Sequence, residues 1–122
     1  MRDYPPGYFE QVERAALDGD SSAMLQMGVW LLGVSGSRLK RDPVGALRWL
    51  RRAAEEGGQA HAMELLAMEA DSRSGRSPDA AAEAARWYAR ALDAYELAIQ
   101  RGAPGARENA EGLRRKLESR VR

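Results

Sequence analysis

Apolar side chains recur every three or four positions along most of this chain, and polar stretches with glycine or proline separate the recurrences. That spacing is typical of amphipathic α-helices, because it places the apolar side chains on one face. β-branched residues occur singly, and no stretch long enough for a strand alternates apolar with polar positions as a half-buried strand would. The pattern therefore predicts an all-α protein of about six helices.

Capping residues, prolines and glycines place the helix ends. The predicted helices cover approximately residues 5–18, 20–32, 43–57, 59–70, 78–101 and 104–121. Asp42 and Ser77 can each cap free amides, and each precedes a proline suited to a first helical turn. Asp20 or Ser21 can cap the second helix. Left-handed stops are predicted at the glycines that follow the periodic segments, namely Gly19, Gly33, Gly57 with Gly58, and Gly102. Residues 33–41 and 71–77 are predicted to be loops.

Each amphipathic helix carries one apolar stripe that we expect to be buried. The stripes are Tyr8, Val12, Ala15 and Ala16 in the first helix, Ala46, Leu47, Leu50, Ala53 and Ala54 in the third, and Ala106, Ala110, Leu113, Leu117 and Val121 in the sixth. The many alanines, together with Gly28 in the second helix, indicate that neighbouring helices approach each other closely.

The helix ends also repeat. The corresponding sets are Ala15, Ala16 and Gly19, then Ala53, Ala54 and Gly57 at an offset of 38, then Ala98, Ile99 and Gly102. In the helices that follow, Ala23, Met27 and Gly28 correspond to Ala62, Leu66 and Ala67 at an offset of 39. Self-similarity at such a period is typical of a helical solenoid, in which each helix pair covers the apolar face of its neighbour.

The last copy is longer than the others. Trp49 precedes Gly57 by eight residues, whereas Trp87 precedes Gly102 by fifteen. The seven extra residues make two helical turns and return side chains to nearly the same face. The fifth helix is therefore predicted to be one rod of roughly 24 residues, about 36 Å long, that projects beyond the others.

The segment from Gly19 to Gly57 resembles a Sel-one-like repeat, a relative of the tetratricopeptide repeat. The residues that carry the resemblance are Ala23, Met27, Gly28, Leu31, Gly33, Gly36, Asp42, Ala46, Leu47, Trp49, Arg52, Ala53, Ala54 and Gly57. The resemblance implies a short right-handed α-solenoid of antiparallel helix pairs. It also implies a non-catalytic adaptor or scaffold, of the kind that such repeats form in bacteria.

We expect residues 1–122 to form a single domain of this kind. Residues 1–19 are a capping helix, 20–57 the best-matching repeat, 58–102 a divergent repeat with a long second helix, and 103–122 a second capping helix. Atypical end repeats are expected in a short solenoid, because they cover its two ends.

Composition narrows the classes of function. With 19 basic and 18 acidic residues the formal charge is +1, and glutamates interrupt the arginine clusters, so no nucleic-acid partner is expected. No run of 18 apolar residues occurs, so neither a membrane span nor a secretory leader is predicted. The chain has no cysteine, which excludes disulfides and thiolate metal sites and suits a reducing cytoplasm.

Few residues of this sequence are placed to act in catalysis. His61 is the sole histidine, so no two-histidine metal site exists, and a catalytic base would need an orienting partner that the sequence does not indicate. The glycines show neither a phosphate-loop nor a dinucleotide spacing. No enzymatic activity, cofactor or metal is expected.

The second helix raises a question about Trp30. Ala23, Met27 and Leu31 already supply an inward stripe, and Gln26 and Trp30 form a separate line one turn apart. Either this helix is buried all round and Trp30 belongs to the core, or Trp30 lines an exposed concave groove. The aligned positions in the next repeat are Leu65 and Glu69, so the candidate groove residues are Gln26, Trp30, Leu65 and Glu69. Trp49 and Trp87 match the structural tryptophan of the repeat and are expected in the core.

The sequence thus predicts a protein-binding module that holds a partner peptide or helix in this groove. Two alternatives stay open: self-association as a homodimer, and inhibition of a cognate toxin as an immunity-type protein.

Overall fold

The computed structural model describes residues 5–33 and 40–120, and over these residues the protein is helical without any strand. The helices are α1 (Tyr8–Leu17), α2 (Ser21–Leu31), α3 (Pro43–Gly57), α4 (Ala60–Ser72), α5 (Pro78–Gln100) and α6 (Ala106–Arg120). The prediction of an all-α protein is confirmed. Most of the predicted loop 33–41 lies outside the described residues.

Three helices begin at the predicted caps. The Asp20 carboxylate accepts hydrogen bonds from the amides of Ser22 (2.9 Å) and Ala23 (3.2 Å). The Asp42 carboxylate accepts from Gly45 (3.0 Å), and the Ser77 hydroxyl accepts from the amide of Ala80 (3.3 Å). These side chains satisfy amides that have no partner inside the helix, so the starts of α2, α3 and α5 are fixed locally.

Two helices end in the same hydrogen-bonded motif. After α1 the amides of Gly19 and Asp20 bond back to the carbonyls of Ala16 and Ala15, and Gly19 has φ +103°. After α5 the amides of Gly102 and Ala103 bond to Ile99 and Ala98, with φ +76° at Gly102. This is the Schellman arrangement, whose left-handed residue is glycine because a Cβ there would be strained.

α3 ends where the sequence predicts, at the pair Gly57 and Gly58. Gly57 is the last helical residue, and the left-handed position is Gly58, with φ +62°. The amides of Gly58 and Gln59 bond to Ala54 and Ala53. Gly57 has a separate reason to lack a side chain, because a Cβ there would collide with the side chain of Ser21.

The chain divides into two compact units, Met1–Leu66 and Ala67–Arg122. In the first unit α2 packs against both α1 and α3. A Cβ added at Gly28 of α2 would lie 2.7 Å from Cγ and Cδ2 of Leu50 in α3. The predicted stripe of α3 faces inward, with Ala46, Leu50, Ala53 and Ala54 buried and Leu47 half-buried. Close approach of small residues therefore joins α2 to α3, as the sequence indicated.

The first helix differs from its prediction in start and orientation. It begins at Tyr8, after a turn in which the Tyr8 amide bonds to the Pro5 carbonyl (3.1 Å), and the prolines stay outside the helix. Phe9, absent from the predicted stripe, is buried, whereas Tyr8, Val12 and Ala15 are half-buried. Ala16, which belongs to the predicted stripe, is buried as well, so the inward side of α1 carries both Phe9 and Ala16.

In the second unit α5 is a single helix of 23 residues, as predicted, and α6 packs against it. The buried residues of α5 form one stripe, Ala80, Ala84, Tyr88, Ala91 and Tyr95. α6 begins at Ala106, two residues after the predicted start at Pro104. It buries Ala106, Ala110 and Leu113 and half-buries Leu117, whereas Val121 lies outside the described residues.

The predicted loop 71–77 is more ordered than expected. α4 continues through Asp71 and Ser72, and three further backbone hydrogen bonds, ending with Arg76 to Arg73, form successive turns. The prediction of a loop is therefore wrong for Asp71 and Ser72 and holds for residues 73–77, which lie between α4 and α5.

Candidate protein-binding surfaces

The structure places the predicted groove residues in different environments. Trp30 is buried, with 3% of its surface exposed, whereas Gln26 and Leu65 are half-buried. These three belong to the first unit, and half-buried Glu69 belongs to the second. Gln26 and Trp30 are one turn apart on α2, as predicted.

Trp30 is enclosed by two aromatic rings of α1. Its ring centroid lies 4.6 Å from that of Phe9, at 45°, and 5.8 Å from that of Tyr8, at an edge-on 75°. Phe9 itself is 7% exposed. Such geometries are attractive for aromatic pairs, and they hold α1 against α2. Of the two alternatives that the sequence left open, the burial favours the one in which Trp30 is a core residue.

Glu69 takes part in an ion-pair network. The Arg73 guanidinium donates to both Glu69 oxygens, at 2.8 and 2.9 Å, and to Glu83 on α5 at 3.4 Å. The bond to Glu69 raises the pKa of Arg73 above its usual value. Arg73 thereby ties the end of α4 to the first turns of α5, and partner binding through Glu69 would have to compete with this network.

The other two tryptophans lie closer to the surface than expected. Trp49 on α3 and Trp87 on α5 are half-buried. The guanidinium carbon of Arg52 lies 5.3 Å from the Trp49 ring centre, and that of Arg90 lies 4.5 Å from the Trp87 ring centre. The prediction that both tryptophans are core residues was too strong, since each keeps part of its indole in contact with solvent and with a cation.

A signal for these two tryptophan–arginine pairs is present in the sequence. In RWLRR and in RWYAR an arginine follows the tryptophan by three positions, which places the two side chains on adjacent turns of one helical face. In both segments the residue after the tryptophan is buried, as Leu50 and as Tyr88. The two rings were expected in the core because they match the structural tryptophan of the repeat, and the arginines three positions later were not considered.

Comparison of the chain with protein-family models, with curated proteins and with solved structures finds no match. The resemblance to Sel-one-like repeats therefore rests on the residues quoted above.

Among residues 5–33 and 40–120 no group of three or more histidine and carboxylate side chains is placed to hold a metal ion. His61 is exposed at the start of α4. In the same part of the chain no helix is long and apolar enough to cross a membrane.

An open depression of about 450 Å³ lies along α1, and Glu10, Arg14 and Asp18 contribute to its charged lining.

Arg52 also pairs with Glu56, and the effect of this pair on the pKa of Glu56 can be tested. Its guanidinium donates to both carboxylate oxygens, at 2.9 and 3.3 Å, and this bond lowers the pKa of Glu56 below its ordinary value. We expect Arg52→Met, which keeps an apolar stem without the charge, to raise the pKa of Glu56 toward that ordinary value. The measurement is an NMR titration of the side-chain carboxyl carbon.

The direction of the pH dependence of stability follows from the linkage between protonation and folding. A lowered folded-state pKa contributes stability that is present above the unfolded pKa and is lost as the pH falls through the folded value. Arg52→Met should remove this loss of stability at low pH. Arg51→Met, a change at the exposed neighbouring residue, should leave the Glu56 titration unchanged. Equal curves for all three proteins would show that the Arg52–Glu56 pair does not form in solution.

Proposed function

We propose that this chain is a non-catalytic protein–protein interaction module, an adaptor or scaffold that binds a peptide or helix of a partner protein. The observation that carries the proposal is the pair of half-buried tryptophans, one in each compact unit, each with an arginine over its ring. Tryptophan and arginine are the residue types most enriched among the few side chains that dominate binding energies.

The tryptophan–arginine pairs suit a role as anchors for a physical reason. An indole held by its own helix and faced by a guanidinium has little rotational freedom left to lose when a partner docks. The same ring still has apolar surface that a partner can cover. In this proposal Gln26 and Leu65 remain contacts of the predicted groove, and Trp30 supports α2 from the interior.

The proposal includes a short right-handed α-solenoid of antiparallel helix pairs, related to Sel-one-like repeats. Its support is a correspondence between α3 and α5 at an offset of 38. The matching positions share their burial, and they are Ala46 with Ala84, Trp49 with Trp87, Leu50 with Tyr88, and Ala53 with Ala91. A cytoplasmic location is part of the proposal and is favoured by the absence of cysteine.

The test is affinity capture with the full chain from a lysate of its source organism, followed by titration of the captured protein. We expect Trp49→Leu/Trp87→Leu, which keeps apolar volume but removes both indoles, to raise the Kd by about 30-fold or more, corresponding to about 2 kcal/mol. Leu97→Gln, a change at an exposed apolar position of α5, is the control and should leave the Kd unchanged.

A second variant separates the two surfaces. If Gln26→Ala/Leu65→Ala weakens binding and the tryptophan variant does not, the predicted groove is the binding site and the tryptophan–arginine pairs are not. If the wild-type chain retains no protein beyond those retained by an unrelated helical bait, the proposed function is wrong.

A further inference from the structure

The outer surfaces of α1 and α3 carry complementary side chains in the same spacing. Leu17 and Val44 are 63% and 66% exposed, the highest values among the large apolar side chains of the described residues. Glu13 and Glu10 lie four and seven residues before Leu17. Arg48 and Arg51 lie four and seven residues after Val44. We name the first set the acidic face of α1 and the second set the basic face of α3.

Both faces are available for contact. Glu10, Glu13, Arg48 and Arg51 are exposed, and no ion pair engages them within the part of the chain that the structure describes. Positions separated by four and seven residues share one side of a helix. Each face therefore presents one exposed apolar side chain and, four and seven residues along, two charges of one sign. On α1 the exposed Arg14 lies on the same side, between Glu10 and Leu17.

The two spacings fit an antiparallel pair of helices. When Leu17 is placed opposite Val44, Glu13 falls opposite Arg48 and Glu10 falls opposite Arg51, since the helices run in opposite directions with equal rise per residue. A parallel alignment that keeps Leu17 opposite Val44 does not bring these charges together, so only the antiparallel pair joins the apolar contact to both ion pairs. The register thus joins one apolar contact to two ion pairs of opposite sign.

We propose that the acidic face of α1 docks antiparallel against the basic face of α3 of a second copy of this chain. The occupant is a second copy because both halves of the match are exposed on one sequence and their charges are complementary. The contact spans about 15 Å, the length of the ten residues of α1, which is short for a permanent interface. Self-association is therefore weak and weakens further in salt, because exposed ion pairs are screened.

Sedimentation equilibrium of the full chain tests this contact. From micromolar to millimolar concentration at low ionic strength, the weight-average mass should rise above the 13.4 kDa of the monomer. Each charge-reversed protein alone, Glu10→Arg/Glu13→Arg or Arg48→Glu/Arg51→Glu, should associate about tenfold or more weakly, because two attractions become two repulsions. Leu17→Gln, which changes no charge, should also weaken association.

The decisive experiment mixes the two charge-reversed proteins. The basic α1 of one then faces the acidic α3 of the other, so mixing should restore association. Arg107→Glu/Arg115→Glu on α6, a helix of the second unit, makes the same change in net charge as Arg48→Glu/Arg51→Glu and should associate like the wild type. Circular dichroism establishes that each variant is folded. A wild-type mass of 13.4 kDa throughout, a mixture that stays monomeric, or an equal loss in the α6 control would each overturn the proposal.

Discussion

Replacing Trp30 with alanine is expected to lower the free energy of unfolding by about 3–5 kcal/mol. The side chain is 3% exposed and contacts the rings of Tyr8 and Phe9, so its removal leaves a cavity between α1 and α2. The loss combines the transfer free energy of the indole with the contacts that the cavity lining no longer makes. Phe9 loses its partner as well, so α1 should become more mobile.

The measurement is urea denaturation followed by circular dichroism, with Trp49→Ala as the matched control. Trp49 is half-buried, and its truncation should cost clearly less than that of Trp30. A Trp30→Ala protein within about 1 kcal/mol of the wild type would place Trp30 at the surface. The groove alternative for this residue would then be restored.

Two helical glycines are expected to respond to alanine in opposite directions. A Cβ at Gly28 would lie 2.7 Å from Cγ of Leu50 and 3.3 Å from the carbonyl oxygen of Ala46. Leu50 is 1% exposed, so either its side chain must repack inside the core or α2 and α3 must separate. We expect Gly28→Ala to cost about 1–3 kcal/mol, even though alanine is the better helix former.

Gly112 on α6 is the matched control. A Cβ there meets no atom within 4 Å, so only the helix propensity changes, and Gly112→Ala should stabilise by about 0.5–1 kcal/mol. Thermal melts of the two variants beside the wild type give the comparison. If Gly28→Ala raises the melting temperature as Gly112→Ala does, the close crossing of α2 and α3 is not present in solution.

The helix starts were predictable because their causes lie within one turn of chain. Asp20, Asp42 and Ser77 cap the amides of residues two or three positions later, and such a bond depends on little outside the segment. The glycine stops after α1 and α5 have the same local origin. At α3 the local pattern does not indicate why Gly57 lacks a side chain. The reason is Ser21, whose side chain leaves no room for a Cβ at Gly57, and a neighbour distant in sequence cannot be inferred from a local pattern.

The orientation of the aromatic rings was the least predictable part of the fold. Phe9 lies beside the apolar stripe assigned to α1, and its burial depends on Trp30 in the next helix. Trp49 and Trp87 were expected in the core because they match the structural tryptophan of the repeat, whereas arginines one turn later lie over their rings. The candidate site changed accordingly, because the tryptophan placed in the groove is buried and the two placed in the core reach the surface.

Acrylamide quenching of single-tryptophan proteins tests this assignment most directly. Each variant keeps one indole and replaces the other two by phenylalanine, and the Stern–Volmer constant reports the accessibility of the indole that remains. We expect Trp30 to emit at shorter wavelength and to be quenched weakly, and Trp49 and Trp87 to be quenched more strongly. If Trp30 is quenched as strongly as the other two, it is not a core residue, and the distinction between a buried Trp30 and half-buried Trp49 and Trp87 is contradicted.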